Sequence, residues 1–161
     1  MGRVVLMAAA EFRGSAAAAL ATPAGRGAEV INVTSRENDL YDKLVEGFVR
    51  APAGGDRAVS AGLGQARRNW LDLQMDCPKS RAVLAGLGYR VPPPVRRVCH
   101  WSAYLRPGLF VFYRDLIRRR EGLPLAWLRA RLPARPARRW SRLVPAVRLA
   151  FPAFGGPMQR S

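Results

Sequence analysis

Residues 29–48 read EVINVTSRENDLYDKLVEGF, a segment that combines a short strand, a polar turn and an amphipathic helix. Glu29–Thr34 is rich in β-branched residues, which favour strands. The turn that follows ends in Asn38 and Asp39, two residue types that begin helices well. Apolar side chains then recur at helical spacing, which predicts an amphipathic helix over residues 40–50. A strand followed directly by a helix is the unit from which parallel sheets are built.

The same order of elements is repeated on both sides of this segment. Residues 3–9 form a continuous apolar run, as expected of a strand that is buried on both faces. Residues 95–99 (VRRVC) predict a third short strand, and the apolar spacing over residues 107–120 predicts a second amphipathic helix. For residues 67–76 the spacing leaves an irregular segment or a short strand open. We therefore expect an α/β fold, a partial parallel sheet with flanking helices.

Basic residues are distributed unevenly along the chain, which has a net charge of +16. Residues 1–100 hold 14 Lys or Arg against 9 Asp or Glu, whereas residues 101–161 hold 13 Arg against 2 acidic residues. Proline also recurs in the second part and interrupts long helices. We expect an α/β domain over residues 1–120 and a basic Arg/Pro-rich tail over residues 121–161, with a short docked helix at residues 127–132.

A basic tail of this kind is typical of segments that contact nucleic acid or an anionic membrane. Arginines paired with Trp127 and Trp140 supply the groups that bind phosphates and stack on bases. The arginines concerned are Arg118, Arg119, Arg120, Arg129, Arg131, Arg135, Arg138 and Arg139. The competing interpretation is a solvated tail without a ligand, and the sequence contains no known nucleic-acid-binding motif.

The small number of cysteines and histidines limits the metal and cofactor sites that we expect, and it indicates a cellular compartment. Cys77 and Cys99 lack the CxxC spacing, and with a single histidine they do not form a Cys/His zinc site. We expect no metal and no cofactor, since no glycine-rich phosphate loop is present either. Two cysteines do not make a disulfide framework, which favours a reducing, cytoplasmic location. No apolar run reaches the roughly 18 residues of a membrane span.

His100, the only histidine, and Asp39 are the candidate catalytic residues. Ligands of open parallel sheets bind beyond the carboxyl ends of the strands, where both residues are predicted to lie. A carboxylate holds the tautomer of a histidine base and stabilises the imidazolium. Asp39 is the first choice for this acid, flanked by Glu37 and Asp42, and Glu11 follows the first strand. The alternatives are that Asp39 only caps the next helix and that His100 is an ordinary histidine after a strand.

Three segments of the chain resemble the C-terminal half of the α/β-hydrolase family. Residues 2–11 (GRVVLMAAAE) resemble the strand that follows the nucleophile-elbow helix of the family. Residues 30–39 (VINVTSREND) resemble the next strand and its acid-bearing loop, and residues 97–102 (RVCHWS) resemble the last strand and the histidine loop. The order of acid before histidine is that of the family. The resemblance covers about residues 2–120.

This resemblance implies a serine hydrolase acting on an ester, thioester or amide, with His100 as general base and then acid and Asp39 orienting it. The Gly-x-Ser-x-Gly elbow of the family is absent from the sequence. Three serines near the predicted site do not stand at such a turn: Ser15, Ser35 and Ser102. Cys99 is excluded because neighbours in a strand point to opposite faces. We interpret the chain as a truncated or late-started fragment with little or no activity of its own.

Overall fold

The computed structural model describes residues 2–140, which form a three-stranded parallel sheet flanked by helices. The strands lie side by side in chain order and are β1 (Arg3–Met7), β2 (Glu29–Thr34) and β3 (Trp70–Gln74). In the central strand, Ile31 is aligned with Val5 of β1 and with Leu71 of β3. The prediction of an α/β fold with a parallel sheet and flanking helices is therefore confirmed.

The described residues contain seven α-helices that connect and cover the strands. They are α1 (Arg13–Ala21), α2 (Pro23–Gly27), α3 (Asp39–Phe48), α4 (Pro78–Gly86), α5 (Ser102–Leu105), α6 (Leu109–Arg118) and α7 (Leu125–Arg131). The amphipathic helices predicted over residues 40–50 and 107–120 correspond to α3 and α6. None of the helices within residues 2–140 has the length and apolar character needed to span a membrane.

The third strand is not the one predicted from the sequence. Residues 95–99 form no strand, and the three prolines before them lack the N–H groups that a sheet ladder needs. The third strand is β3, inside the segment for which an irregular conformation or a short strand was left open. Its side chains pack on both faces of the sheet, but the polar residues Asp72 and Gln74 interrupt the continuous apolar run that is typical of a parallel strand.

Apolar side chains cover both faces of the sheet. One face packs against α6 and α7, and the residues of this cluster include Ile31, Val33, Leu71, Leu73, Phe112, Leu116 and Leu128. The other face carries a smaller cluster of Leu20, Val30, Val59, Leu63 and Trp70. On this second face Asn32 is also buried, and its side-chain amide donates to Asp72 Oδ1 and to the Val59 carbonyl, both at 2.9 Å. The central strand β2 is thus enclosed, whereas β1, at one edge of the sheet, is only partly covered, with Val4 43% exposed.

The first part of the predicted tail belongs to the packed domain. Leu125 and Leu128 of α7 are buried against the sheet, which confirms the short docked helix expected at residues 127–132. Burying a leucine side chain stabilises a fold by about 1.5–3 kcal/mol, so α7 contributes directly to the core. The rest of the predicted tail, residues 141–161, lies outside the described residues.

Candidate functional site

The loops that follow β2 and β3 meet at the carboxyl edge of the sheet. After β2, residues Arg36–Asn38 form one turn of 3-10 helix that leads into α3. The Ser35 hydroxyl caps this turn by accepting the N–H of Glu37 at 3.2 Å. After β3, Asp76 accepts the N–H of Arg36 at 3.0 Å. These bonds fix the backbone on which the candidate residues stand.

The segment that carries His100 is anchored to the β2 loop at two points. The N–H of Cys99 donates to the Glu37 carbonyl oxygen at 2.8 Å. The Arg106 guanidinium pairs with the Glu37 carboxylate, and both side chains are 6% exposed. A histidine in an irregular segment thereby gains a fixed position, because its loop is tied down on each side of it.

His100 hydrogen-bonds to Asn38, and Asn38 in turn to Asp42. The Nδ1 atom of His100 lies 2.7 Å from Asn38 Oδ1, and Asn38 Nδ2 donates to Asp42 Oδ1 at 2.7 Å. A carboxylate only accepts hydrogen bonds, so the Asn38 NH₂ group must face Asp42 and the amide oxygen must face the imidazole. Asn38 and Asp42 are 3% and 2% exposed, so water does not compete for these bonds.

This arrangement selects one tautomer of His100. Because Nδ1 faces an acceptor, it carries the proton, and Nε2 is left with a lone pair. Among residues 2–140 the structure gives Nε2 no hydrogen-bond partner. The ring lies beside aromatic neighbours, with centroid distances of 5.0 Å to Tyr41 and 5.4 Å to Trp101. The site therefore presents a basic nitrogen flanked by aromatic rings.

The surroundings of His100 are an open surface rather than a pocket. Trp101 is 60% exposed and Leu105 is 71% exposed. Four cavities formed by residues 2–140 are lined by other residues and not by His100. The described residues thus supply a base and its support on an exposed part of the surface.

Asp39, the acid chosen from the sequence, is at this edge of the sheet but is not the residue that contacts His100 Nδ1. Asp39 is the first residue of α3, is fully buried and pairs through its carboxylate with Arg139. Successive residues of a helical turn point about 100° apart, so Asn38 and Asp39 face different neighbours. The orienting contact predicted for Asp39 is made by Asn38. Burial disfavours the charged guanidinium, but the Asp39 bond and nearby Glu46 outweigh it and raise the Arg139 pKa.

The two alternative acids also have contacts elsewhere. Glu37 binds Arg106, as described, and its second role is to anchor the Cys99 backbone. Glu11 is exposed, and its carboxylate accepts the N–H of the next residue, Phe12, at 2.7 Å. The sequence did not indicate the Asn38–Asp42 pair, because the expected partner of a catalytic histidine is a carboxylate and not an amide. The available signal was the spacing of four residues, which places the two side chains on one helical face.

Burial affects the charges behind the histidine. Desolvation raises the pKa of the Asp42 carboxyl, against the lowering effects of the Ser60 hydroxyl and the positive charges of Arg139 and Arg36. Desolvation also lowers the pKa of the Arg36 guanidinium, which lies close to Asp76 and Asp39. The region behind Asn38 is therefore a cluster of opposite charges in which burial shifts the pKa values of an acid, Asp42, and of a base, Arg36.

Candidate nucleophiles and metal ligands are few in this part of the chain. The exclusion of Cys99 as a nucleophile depended on the alternation of side chains in a strand, and it does not hold because residues 95–99 form no strand. Cys99 is half-buried and has a free thiol. Ser102 is 7% exposed, and its hydroxyl has no hydrogen-bond partner among the described residues. Within residues 2–140, no three His, Cys, Asp or Glu side chains lie together as a possible metal site.

Several residues of the basic tail are engaged within the molecule. The Trp127 ring is covered by the Arg131 guanidinium at 3.9 Å, and Trp140 Nε1 donates to the Arg36 carbonyl at 2.9 Å. Arg139 is 4% exposed. The two tryptophans expected to stack on bases thus already have intramolecular contacts. Binding of nucleic acid or an anionic membrane through the tail stays a prediction.

Comparisons with known proteins assign no family or function to the chain. No protein-family model, no curated protein and no solved structure matches the chain. The resemblance to α/β-hydrolases therefore stays a prediction from the sequence.

Proposed function

We propose that this chain carries the histidine half of a hydrolase site for esters, thioesters or amides. The observation that supports it is the hydrogen-bonded series His100–Asn38–Asp42, at the carboxyl edge of a parallel sheet. In such sheets this edge is where ligands bind. His100 is the catalytic residue of the proposal, and Asn38 and Asp42 are positioning residues.

In the proposed reaction, Nε2 of His100 takes a proton from an attacking water molecule while Nδ1–H stays bonded to Asn38 Oδ1. The water oxygen forms its bond to the acyl carbon as the proton leaves. The imidazolium then returns the same proton to the departing alcohol, thiol or amine as the bond to the acyl carbon breaks. These are the general-base and general-acid steps in which a histidine takes part in acyl transfer.

An asparagine in the orienting position is compatible with this role because of Asp42. In a Ser-His-Asp triad, replacing the acid by asparagine impairs catalysis because the wrong histidine tautomer results. Here Asp42 binds the NH₂ group, so the amide oxygen is the atom that faces Nδ1. Papain-like cysteine proteases likewise pair their histidine with an asparagine. Asp42 supplies, one residue further back, negative charge that favours an imidazolium.

The proposal gives the chain no activated serine. The Gly-x-Ser-x-Gly elbow is missing from the sequence, and with it the backbone amide that normally completes an oxyanion hole. General acid–base catalysis alone contributes about 10²–10⁴-fold to a rate. We therefore expect the 161-residue chain to accelerate the hydrolysis of an activated ester only weakly.

The test is hydrolysis of a series of p-nitrophenyl esters and thioesters by the purified chain, compared with His100→Ala. Weak acceleration that disappears in His100→Ala is expected. Asn38→Ala is expected to lower the rate at unchanged pH, and Cys99→Ala serves as a matched change beside the histidine that leaves the rate unaltered.

Each other outcome contradicts part of the proposal. Equal rates for the chain and His100→Ala would show that His100 is not a base for this chemistry. Loss of the rate in Cys99→Ala would assign a nucleophile to the chain and replace the general-base step. Fast, saturable turnover would contradict the absence of an activated nucleophile.

A further inference from the structure

A cleft of about 790 Å³ lies along β3, an outer strand of the sheet, where Trp70, Leu71 and Asp72 line it; His100 and Asn38 do not. Four arginines from separate parts of the chain line it: Arg13, Arg67, Arg129 and Arg135. They come from α1, from the loop before β3, from α7 and from the segment after α7. Cavities that bind small molecules have volumes of about 300–1,000 Å³, so this cleft is of ligand size.

The balance of charge in the cleft is strongly positive. Asp72 is the acidic residue of its lining, and its oxygens accept hydrogen bonds from neutral groups, namely Trp70 Nε1 at 2.8 Å and the N–H of Leu63 at 3.3 Å. Desolvation raises the pKa of the Asp72 carboxyl, which weakens it further as a counter-charge. Positive charges that line one concave space raise the local concentration of anions there.

The backbone of the cleft is shaped to leave room for these groups. Gly62 and Gly64 have φ values of +85° and +84°, a conformation that side chains disfavour. A Cβ atom at Gly64 would lie 3.2 Å from Arg13 Nη1, and one at Gly62 would lie 2.9 Å from Asp72 Oδ2. The Arg13 guanidinium is also oriented by a 2.7 Å bond to the Ala61 carbonyl. Glycines at these two positions therefore allow the arginine and the loop to approach closely.

Arg67 contributes a buried donor to the lining. The Nε atom of Arg67 is buried and has no hydrogen-bond partner among the described residues. A buried donor that is left unsatisfied destabilises the fold. Trp70 and Leu71 line another part of the cleft and supply apolar surface beside the charges.

We propose that this cleft binds a small molecule that carries a diphosphate or triphosphate group, a ligand class independent of the proposed hydrolase chemistry. Guanidinium groups match phosphate oxygens with paired, charge-assisted hydrogen bonds, and several arginines against one acid call for an anion of more than one charge. The apolar part of the lining contacts the remainder of the ligand. The limited volume favours a nucleotide-sized molecule over an extended nucleic acid.

The test is calorimetric titration of the full chain with inorganic pyrophosphate, ADP, adenosine and a single-stranded oligonucleotide. We expect ADP and pyrophosphate to compete for one site and adenosine not to bind in the same concentration range. The double variant Arg67→Gln/Arg135→Gln should weaken binding by about tenfold or more, the effect of losing one charged hydrogen bond. Arg96→Gln/Arg97→Gln removes the same charge from exposed positions outside the cleft and is the matched control.

Three results would overturn the proposal. The first is no binding of pyrophosphate or ADP at millimolar concentration by a chain whose circular dichroism shows it folded. The second is equal weakening by the control variant, which would show a general charge effect. The third is binding of the oligonucleotide alone with loss in Arg67→Gln/Arg135→Gln, which would assign the arginines to nucleic acid.

Discussion

The Nδ1 atom of His100 lies 2.7 Å from Oδ1 of Asn38, a residue 62 positions earlier in the chain. The carboxylate of the adjacent residue, Asp39, binds Arg139 on the other side of the turn. Two neighbouring polar residues thus have separate roles, one toward the histidine and one toward the interior. Substituting Asn38 therefore tests the contact with the histidine, and substituting Asp39 tests the buried ion pair.

The first prediction concerns the tautomer of His100. Asn38→Ala removes the acceptor for Nδ1–H, so the proton is expected to distribute between the two ring nitrogens. Nitrogen chemical shifts of the imidazole measure this distribution, and the intact chain is expected to show the Nδ1–H form. Asp39→Asn, which keeps an oxygen for Arg139, is the matched control and should leave the tautomer unchanged. A tautomer that changes in Asp39→Asn but not in Asn38→Ala would contradict the contact between His100 and Asn38.

The second prediction concerns Asp42 and pH. Because burial raises the folded-state pKa of Asp42 above its ordinary value of 3.8, the folded chain binds this proton more tightly than the unfolded chain. Stability from this group is then fully present below about pH 3.8 and is lost as pH rises through the folded-state pKa. Asp42→Asn should flatten that part of the pH profile of the urea midpoint.

At neutral pH the two substitutions of Asp42 should differ. Asp42→Asn keeps an acceptor for the Asn38 NH₂ group, so its free energy of unfolding should equal or exceed that of the original chain. Asp42→Ala leaves that donor buried without a partner and should cost about 1–3 kcal/mol. Equal losses in both variants would mean that the charge of Asp42, rather than its hydrogen bond, stabilises the fold.

The third prediction concerns the buried pair of Asp39 and Arg139, which are 0% and 3% exposed at their side chains. Arg139→Met leaves the Asp39 carboxylate without this partner and should cost about 3–5 kcal/mol in the free energy of unfolding. Adding Asp39→Asn to that variant should recover part of the loss, because the buried charge that has lost this partner is then removed. Arg138→Gln, an exposed neighbour, should change stability by less than about 0.5 kcal/mol.

The fourth prediction tests whether α7 belongs to the domain. Leu128 is fully buried, and Leu128→Ala should lower the free energy of unfolding by about 2–5 kcal/mol. Ile117 of α6 is 57% exposed, and Ile117→Ala should change it by less than about 0.5 kcal/mol. Urea unfolding followed by tryptophan fluorescence measures both. An unchanged midpoint for Leu128→Ala would restore the interpretation of residues 121–140 as a solvated tail.

Much of the sheet was predictable from local patterns. The runs at residues 3–9 and 29–34 correspond to β1 and β2, because apolar and β-branched segments favour strands. The expected burial of residues 3–9 on both faces was wrong, since β1 lies at an edge of the sheet and is only partly buried. The amphipathic patterns that became α3 and α6 were equally clear. The third strand was misplaced because β3 includes Asp72 and Gln74, two polar residues whose burial depends on partners elsewhere in the fold.

The candidate site was predictable only to the level of a loop. The composition and periodicity of the chain placed Asp39 at the carboxyl edge of the sheet, since strand and helix formation depend on neighbouring residues. Which side chain meets His100 depended on how an irregular segment is tied to the β2 loop through Cys99 and Arg106. One step along a helical turn rotates a side chain by about 100°, so packing between distant segments, and not local pattern, selected Asn38 over Asp39.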